Sequence, residues 1–240
     1  MNELNLENHQ LEIPRVILLD VYETMLDMDD VERRVNHLTD SKRGYMVWFE
    51  LFMQYCFVEN CTARFNNFGS IAKATLQMTG KMLGRNITED QADGVLEILK
   101  HLPVHDGVQK GLSRLRDMGF RIAALTNSPE KIMRERMEPT GLISFFELVL
   151  SAETIKKYKP CTDVYLWAAS SLGEDIQHIL LVSAHGWDIA GGGNAGMQTA
   201  YLRQPKQMLY PLAPSPNYIC NNLDDLANQL EKIRVGTPVP

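Results

Sequence analysis

The chain has 240 residues, 45% of them hydrophobic and 22% charged, with a formal net charge of −6. A chain of this length buries about 70–75% of its unfolded surface, and the composition excludes a disordered polymer. The acidic balance, and the lack of any Lys/Arg run interleaved with aromatics, exclude a surface that follows a phosphate backbone, so nucleic acid is not an expected partner.

The first dozen residues, MNELNLENHQLE, are polar and acidic and lack the basic start and apolar stretch of an export signal. No later apolar run approaches the roughly 20 residues that cross a bilayer. Cys56, Cys61, Cys161 and Cys220 are scattered without a CxxC pair, suggesting neither a zinc site nor a disulfide framework. A soluble, cytoplasmic protein is the expectation.

The run Val16-Ile17-Leu18-Leu19 ends abruptly in Asp20, as a buried parallel strand with a site residue at its carboxyl end would. Similar runs at Arg121–Leu125, Glu147–Leu150, Ile179–Val182 and Gln198–Leu202 alternate with helical patterns, which predicts a doubly wound α/β sheet. Asp106 to Met118 places Val108, Leu112 and Leu115 on one helix face before Gly119. Ser128 is an N-cap candidate for the next helix, with Pro129 in its first turn, and Thr162–Leu172 predicts another.

Between these, Gly44–Phe57, Gly69–Leu83 and Thr88–Leu102 are amphipathic with no convincing strand. They predict a helical cap inserted over the sheet's carboxyl edge. The expected division is a core of 15–28 and 104–232, a cap of 29–103, and flexible termini 1–14 and 233–240, the last residues Gly236–Pro240 fraying. Trp48, Phe49, Phe52 and Tyr55 form a stripe that packs in the cap or walls an apolar pocket, and its exposed part leaves a homodimer open. Gly191-Gly192-Gly193 lacks the Lys-Ser/Thr ending of a phosphate loop and reads as tight helix packing or a turn.

Four strand ends carry polar residues in chain order: Asp20, Tyr22 and Thr24; Thr126, Asn127 and Ser128; Lys159; then Ser183, His185, Trp187 and Asp188. Converged, they supply a carboxylate nucleophile, hydroxyl and amide donors, a lysine against the negative charge, and a second carboxylate to activate water. Taken singly, each has a plainer reading: Asp20 as a loop or capping carboxylate, Thr24, Thr126 and Ser183 as turn residues, Lys159 as one of a solvated group with Lys156 and Lys157, and His185 as a hydrogen-bonded scaffold residue.

The ordered set Asp20-Val21-Tyr22-Glu23-Thr24, Thr126-Asn127, Tyr158-Lys159-Pro160 with Tyr165, and Val182-Ser183-x-His185-x-Trp187-Asp188 resembles the haloacid dehalogenase superfamily, and within it the type II 2-haloacid dehalogenases, over nearly the whole chain. The resemblance implies a Rossmann-like core with a four-helix cap and a covalent route. Asp20 attacks the halogen-bearing carbon of a small carboxylate substrate, and water then hydrolyses the aspartyl ester. It implies that Thr24, Thr126 and Asn127 orient the carboxylates, that Lys159 offsets charge, and that Ser183 and Asp188 hold and activate water. Tyr22, Phe49, Asn127, His185 and Trp187 would contact substrate.

Phosphatases of this superfamily place a second Asp two residues after the nucleophile to protonate the leaving alcohol. Tyr22 stands there, a loss worth about 10²–10⁴-fold to a phosphatase and nothing to an enzyme expelling halide. No cofactor is therefore expected; Mg²⁺ belongs to the alternative, a phosphatase, and a non-catalytic binding protein is the third reading. Three positions depart from the dehalogenase pattern. Phe49 replaces an arginine expected to bind halide and substrate, removing a bond of about 1.5–3 kcal/mol, with Arg64 as a spatial substitute. Glu23 replaces glycine, placing a charge beside the nucleophile's loop, with solvent as one place for it. His185 replaces asparagine, as a donor to water or a proton carrier.

Overall fold

The computed structural model describes residues 12–62 and 64–234. The expected flexible segment 1–14 lies outside it up to residue 11, as do residues 235–240, including the expected frayed tail.

Six parallel strands form one sheet: β1 (Val16–Leu19), β2 (Arg121–Thr126), β3 (Leu148–Ser151), β4 (Ile179–Ser183), β5 (Gln198–Leu202) and β6 (Tyr218–Cys220), in the spatial order β3-β2-β1-β4-β5-β6. Central strands buried on both faces need apolar residues throughout rather than alternation. Every residue of β1 and β4 is buried accordingly. Ile17 and Leu19 join one apolar cluster, while Val16 and Leu18 face the other. In register, Leu19 pairs with Ala124 of β2 and Val182 of β4, so the next residue of β1 emerges between the ends of both neighbours. The strand order reverses at β1, which opens a crevice at its carboxyl end.

Helices cover both faces. α5 (Val108–Asp117), α6 (Glu130–Met137) and α9 (Leu223–Arg234) bury Leu112, Met133 and Leu226 in the first cluster, and α7 (Thr162–Leu172) buries Val164 and Ala168 in the second. α8 (Gly186–Ala195) packs on β4 and β5. The glycine run is the interior of α8, where a Cβ on Gly191 would meet the Pro160 ring and the Tyr165 side chain at 2.5 Å, and one on Gly192 would meet Leu181 at 2.4 Å. Close helix packing thus explains Gly191 and Gly192, whereas a Cβ on Gly193 would make only ordinary contacts.

Between β1 and β2 lie α1 (Asp29–Thr39), α2 (Gly44–Thr62), α3 (Phe68–Met82) and α4 (Glu89–Ile98), with a short 3-10 turn at Leu99–His101. Thr88 closes a capping box with Gln91 at the start of α4. Trp48 and Phe52 are buried, and the Trp48 indole donates to the Ala72 carbonyl, so the aromatic stripe largely turns inward and only Tyr55 is exposed. The connections into and out of this helical unit run side by side. Leu26 bridges Val104 in antiparallel fashion, the Asp27 N–H donates to the Pro103 carbonyl and the His105 N–H to the Met25 carbonyl.

Two elements, β6 and α9, have no counterpart among the expected ones, and α1 is the helix of the insert that no amphipathic stretch pointed to. α1 reads as charged because Val31 and Val35 are its buried apolar residues, β6 is three residues long, and α9 follows it. α6 begins at Glu130 with Pro129 at the cap position and no side-chain cap bond, so Ser128 does not serve as the N-cap. Among the described residues no helix is long and apolar enough to cross a membrane, and all four cysteines are free.

Candidate active site

Asp20 leaves the end of β1 with its N–H donating to the Val182 carbonyl, so the sheet itself fixes the carboxylate. Lys159, only 1% exposed, bridges two acids: its Nζ is 2.6 Å from Asp20 Oδ1 and 2.9 Å from Asp188 Oδ2. This burial removes the reading of Lys159 as part of a solvated cluster. Asp20 Oδ2 accepts from the Thr24 hydroxyl at 2.7 Å and from His185 Nδ1 at 3.1 Å. The Thr24 oxygen itself accepts the Ala184 N–H at 2.9 Å, which leaves its own hydrogen for Asp20. Burial works to raise the Asp20 carboxyl, but Lys159 and then His185 outweigh it and hold the group well below the ordinary carboxylate range. Burial likewise opposes the charge on Lys159, and Asp188 and Asp20 together push its ammonium above its usual value.

The remaining expected residues converge on the same edge with more local duties. Thr126 accepts the Ser128 N–H and shapes its own loop, while Asn127 Oδ1 accepts the Lys159 N–H at 2.8 Å and shapes the loop that carries the lysine; neither side chain hydrogen-bonds a carboxylate among the described residues. Ser183 accepts the His185 N–H. Asp188 is fully buried, and its Oδ1 accepts from the Tyr165 hydroxyl at 2.6 Å. The Tyr22 ring stacks on Phe68, and its hydroxyl lies 3.5 Å from that of Ser128.

A second layer faces the helical unit. The His185 ring stacks between Phe49, at 5.7 Å, and Trp187, at 5.0 Å. Its Nε2 is 3.0 Å from Glu23 Oε2. Glu23 does not point to bulk solvent: it also accepts from the Tyr45 hydroxyl and from the Gln207 amide, each at 2.6 Å. Burial alone would raise the Glu23 carboxyl, yet His185 and Tyr45 keep it below its ordinary value. Burial disfavours the imidazolium, but Asp20 and Glu23 raise His185 from 6.5 to about 10. Glu23 has a φ of 57°, the left-handed region where glycine is at ease, so the substitution retains a strained backbone at a cost of about 1–3 kcal/mol. Its three side-chain bonds hold it there.

Beyond this aromatic stack, between the core and α1–α2, is a cavity of about 740 Å³ lined by Glu23, Phe49, Met53, Phe57 and Trp187, with Lys42 and Arg43 among its charged residues. Arg64 is exposed and does not replace the arginine missing at Phe49. A different arginine is buried instead. Arg136 lies over the Tyr22 ring at 5.4 Å, its Nε has no hydrogen-bond partner, and burial lowers its guanidinium to about 10. Its place in α6, well away from any motif, gave no sequence pattern to find it by. Tyr45 and Gln207 were equally invisible, because they reach Glu23 only through the fold.

The fold is a Rossmann-like parallel α/β sheet with four helices inserted between its β1 and β2, and an aspartate and a lysine lie buried at its switch point. The comparisons agree: a family model for haloacid dehalogenase-like hydrolases matches residues 14–196. The chain belongs to that family. It is 24% identical over 221 residues to (S)-2-haloacid dehalogenase 4A of Burkholderia cepacia, covering 91% of this chain and 95% of that protein. The structure of L-2-haloacid dehalogenase from Xanthobacter autotrophicus with chloropropionic acid covalently bound superposes with a TM-score of 0.82 at 20% identity, covering 91% and 99% of the two chains. The magnesium-bound HAD-hydrolase YfnB from Bacillus subtilis superposes with a TM-score of 0.71 at 19% identity, covering 91% and 99%.

Proposed function

We propose that this hydrolase opens the carbon–halogen bond of a small 2-halocarboxylate through an ester on Asp20. The observation that carries the reading is the buried Asp20–Lys159–Asp188 bridge, which keeps one carboxylate anionic at the sheet's switch point beside a second. Oδ1 has Lys159 as its donor, while Oδ2 has both Thr24 and His185, so Oδ1 is the freer oxygen for attack. Halide leaves without a proton, which suits Tyr22 in the place of an acid. Water then enters at the ester carbonyl, with Asp188 as its base. The names of the relatives, and the covalently bound chloropropionic acid of the Xanthobacter protein, support the same chemistry.

A metal-independent reaction is part of this proposal. Each of the four oxygens of Asp20 and Asp188 already has a protein donor, from Lys159, Thr24, His185 or Tyr165, and the lysine already offsets the charge of the two acids. The test is halide release from 2-chloropropionate with Mg²⁺ and with a chelator, beside a generic phosphate ester. Chelator-resistant halide release that Asp20→Asn lowers by about 10⁴-fold or more, with an unchanged circular dichroism spectrum, is expected. Mg²⁺-dependent phosphate release without halide release would replace the reading with a phosphatase.

A further inference from the structure

The His185 contacts go beyond holding a nucleophile. A carboxylate can only accept hydrogen bonds, and His185 has one on each side, Asp20 at Nδ1 and Glu23 at Nε2. Both ring nitrogens therefore carry hydrogen, and the ring is an imidazolium. That cation is aimed at Oδ2, the same oxygen that receives the Thr24 hydroxyl. Two donors, one of them charged, converge on the oxygen that attack from Oδ1 leaves behind as the carbonyl of the ester.

Position also decides what His185 does not do. In an in-line displacement the leaving group departs from the face of the carbon opposite the nucleophile, so a donor bound to the nucleophile's own carboxylate is on the wrong side to reach it. The second half-reaction is where the donor counts.

We propose that His185 and Thr24 form the oxyanion site for hydrolysis of the Asp20 ester, and that Glu23 is the positioning residue that keeps the imidazolium in place. The inference rests on the aspartyl-ester reading above. Oδ1 forms the bond to the substrate carbon, and the carbon–halogen pair leaves with halide. Water gives a proton to Asp188 and bonds to Cγ, and the carbonyl π pair moves onto Oδ2, where the His185 N–H and the Thr24 O–H receive the charge. When the pair returns, the Cγ–Oδ1 bond breaks. The product alkoxide carries off the former Oδ1 and takes the proton from Asp188. The second water proton leaves as Asp20 returns to its carboxylate, giving overall one hydroxy acid, one halide and one proton per water consumed.

In the resting enzyme the donors stabilise Asp20 as an anion. At the tetrahedral stage a full charge sits on one oxygen, so the same donors gain strength there. The pattern needs both the histidine and the glutamate beside it, the two positions at which the first motif and the last depart from the family resemblance. Tyr45 and Gln207 fix that glutamate from the helical unit and from the loop after β5.

Rapid-quench measurement of the first turnover separates the two half-reactions, using 2-chloropropionate with the full-length enzyme and reading halide together with the intact mass of the protein. His185→Leu is expected to keep a halide burst stoichiometric with enzyme, to accumulate the covalent adduct, and to hydrolyse it about 10²–10³-fold more slowly. His185→Asn, which retains a neutral N–H donor, recovers part of that loss. Glu23→Gln shifts the deficit to the same step with its burst intact, which a merely structural role would not do. Equal slowing of burst and hydrolysis, or no adduct in His185→Leu while the wild-type ester can be trapped, would overturn the oxyanion assignment alone. If His185→Leu does not fold, Glu23→Gln and Thr24→Val carry the same comparison. No adduct and no halide from the wild-type protein would overturn the ester reading and this inference together.

Discussion

The floor of the site and the wall above it are built on different principles. The floor joins Asp20, at the end of β1, to Lys159 in the loop before α7 and to Asp188 in the first turn of α8, and its charges are matched within one buried bridge. The wall, Glu23 with His185, Phe49 and Trp187, gathers a loop residue, a helix start, an inserted helix and, through Gln207, a surface loop. Floor residues hold position through burial and a matched charge bridge tied to the end of β1, whereas wall residues are held by contacts between separate loops and helices. Damage to the floor is therefore energetic first, and damage to the wall is conformational and kinetic first.

The largest effect expected from breaking this contrast is at Lys159. Lys159→Met leaves two buried carboxylates facing each other, which should cost about 3–5 kcal/mol in urea unfolding; a loss below about 1 kcal/mol would mean water already shares the bridge. Next comes pH. His185 rises from 6.5 in the unfolded chain to about 10 in the fold, so its stabilisation is complete below pH 6.5 and is lost as pH climbs through about 10. Asp20, held low, stabilises above its unfolded value of 3.8 and loses that contribution in acid. The difference in unfolding free energy between wild type and His185→Asn should therefore shrink between pH 6.5 and 10, and a constant difference there would show a neutral ring.

Gly191→Ala sharpens the comparison from behind the floor. Its Cβ would strike Pro160 and Tyr165, an overpacking of about 1–3 kcal/mol, visible as a lowered melting temperature; Tyr165 is the group that holds Asp188. On the wall, Tyr45→Phe removes one of three donors to the Glu23 carboxylate, and with the other two retained the loss is expected at the lower end of the range of about 1.5–3 kcal/mol for a bond to a charged group. Its change should be larger in kcat than in stability, and the reverse order would place Tyr45 in the packing alone.

The same contrast explains what the sequence could disclose. Strand ends are legible because a run such as Val16–Leu19 stops on a carboxylate, and the lysine follows in register with Pro160 and Tyr165. The bulk of the insert was legible from three amphipathic stretches, while α1 was hidden by its acidic first turn and β6 by its length. Glu23 and His185 were visible as departures, but their ion pair was not, because the residues are 162 apart in the chain. Arg136 carried no pattern at all: a buried guanidinium in α6 looks in sequence like any surface arginine of a charged helix.

The pairing of Leu26 with Val104 has a mechanical consequence. The outgoing and returning connections are bonded to each other, so the chain joins the four-helix insert to the core as a door on one pin. The side-chain bonds of Asn60 and Asn66 with Tyr158 and of Glu153 with Phe68 act as its latch. A swing of the door would turn about that short ribbon and leave the strand spacing untouched. Tyr22 is joined to the same pin through its own bridge to Leu26, so the loop that bears Asp20 would feel each opening as a twist.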